Sequence, residues 1–183
     1  MRKLAIVIVL GVLLLAIPVS VFAQKVDWDG QVHKKDLAVF VGAGFSGYGF
    51  TIVPGVEYAF ADFKIGDVFP LAIGGVLKGS LNFYSSYWTA YGIGALVSAH
   101  TGFKGLDIPE FLQKFDVYFS AGLAFSFFSY SGTLAGWDAQ DTYFGFATSD
   151  GVAYYFNDKW AAYLEGNYWA YSGSATLGVR YTF

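Results

Sequence analysis

From Leu37 to the last residue, large apolar side chains alternate with small or polar ones at a period of two. The stretches have about the 9–11 residues that a tilted membrane-crossing strand requires. Eight can be drawn. The first sets Leu37, Val39, Val41, Ala43 and Phe45 against Ala38, Phe40, Gly42 and Gly44, and ends at Gly47-Tyr48-Gly49. The second sets Phe50, Ile52, Val56, Tyr58 and Phe60 against Thr51, Val53, Gly55, Glu57 and Ala59, with its turn at Gly66-Asp67. The third opposes Phe69, Leu71, Ile73, Leu77, Leu81 and Phe83 to Ala72, Gly74, Val76, Lys78, Ser80 and Asn82, and Tyr84 to Tyr87 reads as a loop.

The fourth alternates Tyr91, Ile93, Ala95 and Val97 with Gly92, Gly94, Leu96 and Ser98; the stretch from Gly102 to Lys114 has room for one helical turn. In the fifth, Phe115, Val117, Phe119, Ala121, Leu123, Phe125 and Phe127 oppose Asp116, Tyr118, Ser120, Gly122, Ala124, Ser126 and Phe128. A loop is expected from Ser131 to Asp141, then a sixth strand from Tyr143 to Phe156, a turn at Asn157-Asp158-Lys159, a seventh strand from Trp160 to Tyr171, and an eighth after Ser172-Gly173. Asp150 breaks the rule by falling in the apolar row of Phe146, Thr148, Val152 and Tyr154; a bulge at Ser149-Asp150-Gly151 would turn it away.

The alternation runs to Leu177, Val179, Tyr181 and Phe183, so the chain finishes inside an apolar strand, as expected of a sheet that closes on itself in an apolar solvent. The composition of the second face decides which side meets that solvent. A face in water would be rich in Lys and Glu, but this one is mostly Gly, Ala, Ser and Thr, which suits the cramped interior of an eight-stranded barrel. The apolar rows then face lipid. Charged residues make up 14% of the chain and aromatics 21%, well short of the roughly 25% charge of an ordinary soluble domain. A repeat, Gly-Val-x-Tyr-x-Phe, begins at Gly55, Gly151 and Gly178, in the second, sixth and eighth strands. These run in one direction, so each Tyr and Phe reaches the same membrane boundary, as in an aromatic girdle.

Arg2 and Lys3, an apolar run from Leu4 to Ile17 and the small-residue site ending at Ala23 read as a signal peptide over residues 1–23; the run is shorter than the roughly 20 residues of a spanning helix. Residues 24–35 form a polar leader and 36–183 the barrel. Processing removes two of the 11 basic residues against 14 acids, leaving a net charge of about −5 that disfavours nucleic acid. The chain has no cysteine and two scattered histidines, His33 and His100, so no metal site or cofactor is expected. Both histidines are expected to be polar interface residues, with no triad for catalysis.

On these residues the chain resembles the small eight-stranded bacterial outer-membrane barrels, the group of outer membrane proteins A, X and W. The resemblance implies an all-β, eight-stranded antiparallel up-and-down transmembrane barrel, exported by a Sec-type signal to the bacterial outer membrane, expected as a monomer among outer-membrane lipid. It also implies that Leu177, Val179, Tyr181 and Phe183 form the C-terminal signal read by the barrel assembly machinery.

A two-residue turn at Ser172-Gly173 would pair Ala162 with Phe183, Leu164 with Tyr181, Asn167 with Gly178 and Tyr168 with Leu177, and set Glu165 opposite Arg180. Glu57 takes Arg180's position in the repeat, and Lys78 lies opposite or diagonal to Glu57 across its own hairpin. Glu57, Lys78, Glu165 and Arg180 are therefore expected to cluster in the lumen, because a lone buried ion is strongly disfavoured. Such a cluster is either a fixed plug or, similar to the exchangeable pairs of outer membrane protein A-like barrels, a gate for a small pore. The plug is preferred, since breaking a buried pair costs about 3–5 kcal/mol. Alternatives are a surface module for adhesion or small hydrophobic ligands, using Leu134, Trp137, Asp138 and Asp141, and a lipid A-modifying enzyme, disfavoured by the missing triad.

Overall fold

The computed structural model describes residues 28–46, 49–66, 68–85, 88–130, 140–169 and 172–183. They form eight strands: β1 (Leu37–Ser46), β2 (Phe50–Ile65), β3 (Phe69–Ser85), β4 (Trp88–Gly102), β5 (Phe115–Tyr130), β6 (Gln140–Tyr155), β7 (Trp160–Trp169) and β8 (Ser172–Thr182), with a one-turn helix α1 (Glu110–Gln113) between β4 and β5. Each strand pairs antiparallel with the next, and β8 returns to β1, closing the barrel. The seam is regular from Ala38↔Thr182 to Ser46↔Ser174, and Phe183 N–H donates to Leu37 C=O at 2.9 Å. Closure gives every strand a hydrogen-bonded neighbour on both sides.

The period of two becomes inside and outside. In β7, Ala161, Tyr163, Glu165, Asn167 and Trp169 are buried, while Trp160, Leu164 and Tyr168 are exposed. Around the barrel, Val41, Leu77, Ile93, Val97, Phe119, Leu123, Phe125 and Val179 are exposed, whereas Glu57, Lys78, His100, Asp116 and Arg180 are buried. A water-soluble barrel would invert this arrangement. The exterior is the apolar band of a barrel that lies in lipid.

The three repeats arrive together at one end. There Tyr154 meets Phe156 and Phe115, Tyr181 meets Phe183, and Trp160 packs at a tilt against Tyr181 with ring centroids 4.8 Å apart. At this end short turns link β2 to β3 and β6 to β7. Gly66 takes a left-handed φ of 61°, and the Asn157 carboxamide oxygen accepts from the N–H groups of Lys159 and Trp160 at 2.9 Å each.

Several expectations are corrected. Tyr84 and Ser85 belong to β3, and Gln140 and Asp141 belong to β6, because strands in this barrel run past the minimum crossing length, to 15–17 residues in β2–β6. The seventh strand ends at Trp169, and Ser172-Gly173 is not a turn but the start of β8, with Trp169↔Ser172 and Tyr168↔Gly173 paired. The last hairpin is therefore shifted by four residues: Leu164 faces Leu177, Asn167 faces Ser174, Ala162 faces Val179, and Glu165 faces Thr176 rather than Arg180. An even shift keeps every side chain on its own face, so alternation could not reject the wrong register.

The expected bulge at Asp150 is also absent. The β5–β6 register is unbroken from Phe115↔Tyr154 to Ser129↔Gln140, and Asp150 projects outward, exposed, between Phe119 of β5 and Gly166 of β7.

Candidate functional site: a paired ionic interior

Inward positions of six strands bring the charges together. Glu57 comes from β2, Lys78 from β3, His100 from β4, Asp116 from β5, Glu165 from β7 and Arg180 from β8, all 6% exposed or less. They form two linked sets. In the first, Arg180 Nη1 donates to Glu57 Oε2 at 2.7 Å, His100 Nε2 lies 2.7 Å from Glu57 Oε1, and His100 Nδ1 lies 2.7 Å from Asp116 Oδ2. Ser98 Oγ also donates to Glu57 Oε1. In the second, Lys78 Nζ lies 2.7 Å from Glu165 Oε1 and donates to Asn167 Oδ1 at 2.8 Å, and Tyr118 Oη donates to Glu165 Oε2 at 3.1 Å. Asn167 continues to Thr176 Oγ1 at 3.3 Å.

Charge balance follows from donor counting. His100 lies between two carboxylates, and donating to both takes two ring N–H groups, which the imidazolium has and the neutral ring lacks. Three cations then meet three carboxylates. In a low-dielectric lumen only such mutual pairing holds ions without a large penalty. The ring of Tyr118 stacks on His100 at 5.2 Å, and Lys78 Nζ sits 5.7 Å from the Phe40 ring centroid, so aromatic faces cover two of the cations.

The four charges expected to cluster do meet: Glu57, Lys78, Glu165 and Arg180, with Phe40, Tyr118 and Tyr163, line one cavity of about 20 Å³. The volume is about that of a single water molecule. One pairing differs from the sequence expectation, that of Glu165 with Arg180. Arg180 bonds to Glu57 across the β1 strand rather than standing opposite Glu165, whereas Lys78 takes the diagonal of the two expected positions beside Glu57, which pairs with Val76. His100 is not an interface residue: it is 2% exposed and at the centre of the first set. Its signal was the parity of β4, since His100 follows Leu96 and Ser98 in the inward row; β4 simply extends to Gly102, beyond the stretch drawn from sequence.

The leader closes the same end of the barrel that carries the short turns. Its Trp28 is 4% exposed, donates its indole N–H to Gly102 C=O at 2.7 Å and meets Phe69 edge-on at 5.1 Å. Asp29 N–H donates to Lys104 C=O at 2.8 Å, Gln31 Nε2 to Gln113 C=O at 2.5 Å, and Lys35 N–H to Ala59 C=O at 2.7 Å. Val32 packs on Ala59 and Ala72. A Cβ at Gly102 would come within 2.7 Å of Gln31 N, so the glycine is what admits the leader. His33 stays half-exposed near Asp29 and Asp62, at 4.0 and 3.7 Å. Among the described residues no cluster of His, Cys, Asp and Glu has the geometry to hold a metal ion.

Leu177, Val179 and Phe183 are exposed on the outer wall, with Tyr181 half-buried among girdle aromatics. Of the candidate surface loop, Leu134, Trp137 and Asp138 lie outside the described residues, and Asp141 is an exposed residue of β6.

An apolar outer wall, an aromatic end and a paired ionic interior in a closed antiparallel eight-stranded cylinder define the fold of the small outer-membrane barrels. Solved structures of such barrels are similar to this chain. The N-terminal β-barrel domain of Pseudomonas aeruginosa OprF superimposes with a TM-score of 0.62 at 16% identity, covering 83% of this chain and all of that one. Ail, the attachment invasion locus protein of Yersinia pestis, gives 0.51 at 16% identity over 82% of this chain and 99% of its own. The outer membrane enzyme PagL gives 0.50 at 11% identity over 80% and 98%. No protein-family model and no curated protein matches the sequence, so the likeness is one of fold.

Proposed function

We propose that this is an integral protein of the bacterial outer membrane, exported by residues 1–23 and inserted by the barrel assembly machinery through Leu177, Val179, Tyr181 and Phe183. Its role is structural, with a lumen closed at rest. The mutual pairing of all six interior charges around a cavity of about 20 Å³ carries this reading. The packed leader supports it with a second closure at the barrel end. Conductance of the refolded protein in planar bilayers tests it: sealed bilayers are expected, and steady porin-like currents from the unmodified chain would refute it.

A second reading keeps the pore. Lys78 and Arg180 line one cavity with both Glu57 and Glu165, so each cation has a second carboxylate close by. Exchange of partners would open a narrow path, and Arg180→Ala should then raise conductance above that of the parent. Catalysis is not part of the proposal. Both nitrogens of His100 are engaged by carboxylates, and Ser98 donates to Glu57 rather than to an imidazole base, inside a lumen that a lipid substrate would have to enter. A role of the 131–141 segment in adhesion would show as binding of intact cells that is lost when the segment is shortened.

A further inference from the structure

Two hydrogen-bond donors of the ionic interior are left over when its bonds are counted. Arg180 gives Nη1–H to Glu57, but its Nε–H is buried and meets no acceptor among the described residues; the hydroxyl of Tyr163 is buried and unpartnered in the same way. The two side chains are 6% and 3% exposed, so bulk water does not serve them. A donor buried without an acceptor is costly, and native structures seldom keep one.

Both residues line one cavity, the space of about 20 Å³ that Glu57, Lys78 and Glu165 also border. It has room for one water molecule, and a buried water also needs two to four polar partners. Arg180 Nε–H and the Tyr163 hydroxyl supply donors for its two lone pairs. Glu165 supplies an acceptor: its carboxylate takes a bond from Tyr118 at 3.1 Å and faces Lys78 at 2.7 Å, and a carboxylate with about four lone-pair sites has capacity to spare. Three bonds are the usual number for a buried water. The occupant carries no charge, because three cations and three carboxylates already balance and an added ion would stand unpaired. On its apolar side the cavity is walled by Phe40, which packs against two clusters of buried side chains, one holding Val76, Leu96 and Trp169 and the other Ala153, Tyr155 and Ala161.

We propose that this cavity is a binding site for a single water molecule, which accepts from Arg180 and Tyr163, donates to Glu165 and so joins the two ion-pair sets into one network. The water is part of the closed interior, held for as long as the lumen stays shut. The inference rests on the closed lumen of the proposed function.

Arginine occurs in the chain only as Arg2 and Arg180. In the full chain carrying Arg2→Lys, grown on arginine enriched in heavy nitrogen and refolded into detergent micelles, the single Nε–Hε resonance therefore belongs to Arg180. Its proton is expected to exchange slowly with solvent and to show a dipolar cross-peak at the water frequency, the signature of a water that stays bound. Slow exchange without the cross-peak would mean a dry cavity and would overturn the site while leaving the closed lumen standing. Rapid exchange with bulk water would overturn the closed lumen, and the site with it. Tyr163→Phe provides a second measurement, in which the sign decides. With water bound, loss of the hydroxyl's bond should lower the folding equilibrium constant about fivefold in urea unfolding from lipid vesicles, and the Arg180 cross-peak should survive because Glu165 still holds the water. In a dry cavity the same substitution deletes an unsatisfied group, so a constant that is unchanged or raised, or a cross-peak that vanishes with the hydroxyl, would overturn the proposal.

Discussion

The Lys78–Glu165 pair offers a direct measure of how dry the lumen is. Lys78→Met keeps the aliphatic stem and removes the ammonium, leaving the Glu165 carboxylate 3% exposed with only the Tyr118 hydroxyl at 3.1 Å. Breaking one side of a buried pair costs about 3–5 kcal/mol, which moves the folding equilibrium by two to nearly four decades. Glu165→Met should fall at the lower end of that range, because the stranded ammonium keeps Asn167 at 2.8 Å and the Phe40 ring at 5.7 Å. Replacing both by Met removes two ions together, and an apolar pair of similar volume is about as stable as the ion pair it replaces. The double variant should therefore lie within about 1–2 kcal/mol of the parent, giving a coupling of about 4 kcal/mol or more in the cycle. Reversible urea unfolding in lipid vesicles, followed by tryptophan fluorescence and by the electrophoretic shift between folded and unfolded barrel, reads all four forms. If each single variant costs under about 1 kcal/mol and the two effects add, the pair behaves as an exposed one. Water would then occupy the lumen, and the sealed-barrel reading would fail.

Trp28→Ala should cost about 3 kcal/mol through loss of a buried indole and its bond to Gly102 C=O, and should leave residues 28–36 open to protease while the barrel stays folded. Gly44→Ala should destabilise the β1–β8 seam by about 3 kcal/mol or more, because its Cβ would fall 1.9 Å from the Ala175 carbonyl oxygen, whereas Gly166→Ala should change urea stability by less than about 1 kcal/mol. On the proposed reading of Phe183 as part of the assembly signal, Phe183→Ser is expected to slow accumulation of folded barrel in cells with little effect on refolding in vesicles, since its ring is largely exposed; equal loss in both settings would assign it to stability instead.

The fold was legible because parity is a strong constraint: once Leu37, Val39 and Val41 face lipid, Ala38 and Phe40 have no choice. The same constraint explains what was missed. Register in the last hairpin was open to any even shift, and only the pairing of Trp169 with Ser172 distinguishes the observed one. The leader has no period, so its closure of the barrel end was invisible; it depends on single contacts such as Trp28 to Gly102 that no local pattern announces.

The ionic interior shows how far parity reaches when register is wrong. Glu165 was expected to meet Arg180 as a direct cross-strand partner, yet it lies opposite Thr176, and Arg180 turns instead to Glu57 on the far side of β1. The cluster forms all the same, because in a lumen one side chain wide an inward charge on any strand lies within reach of the others at similar depth. Membership of the site was therefore decided by face and depth, and pairing by details of stagger. His100 and Asp116 obey both criteria: each is inward, and they occupy adjacent strands one diagonal apart, since Gly102 pairs with Asp116 and His100 with Tyr118. Extending β4 by one more inward residue brings them in. Asp150 is the converse case: its parity points out of the barrel, where it lies between Phe119 and Gly166, and no inward cluster can include it.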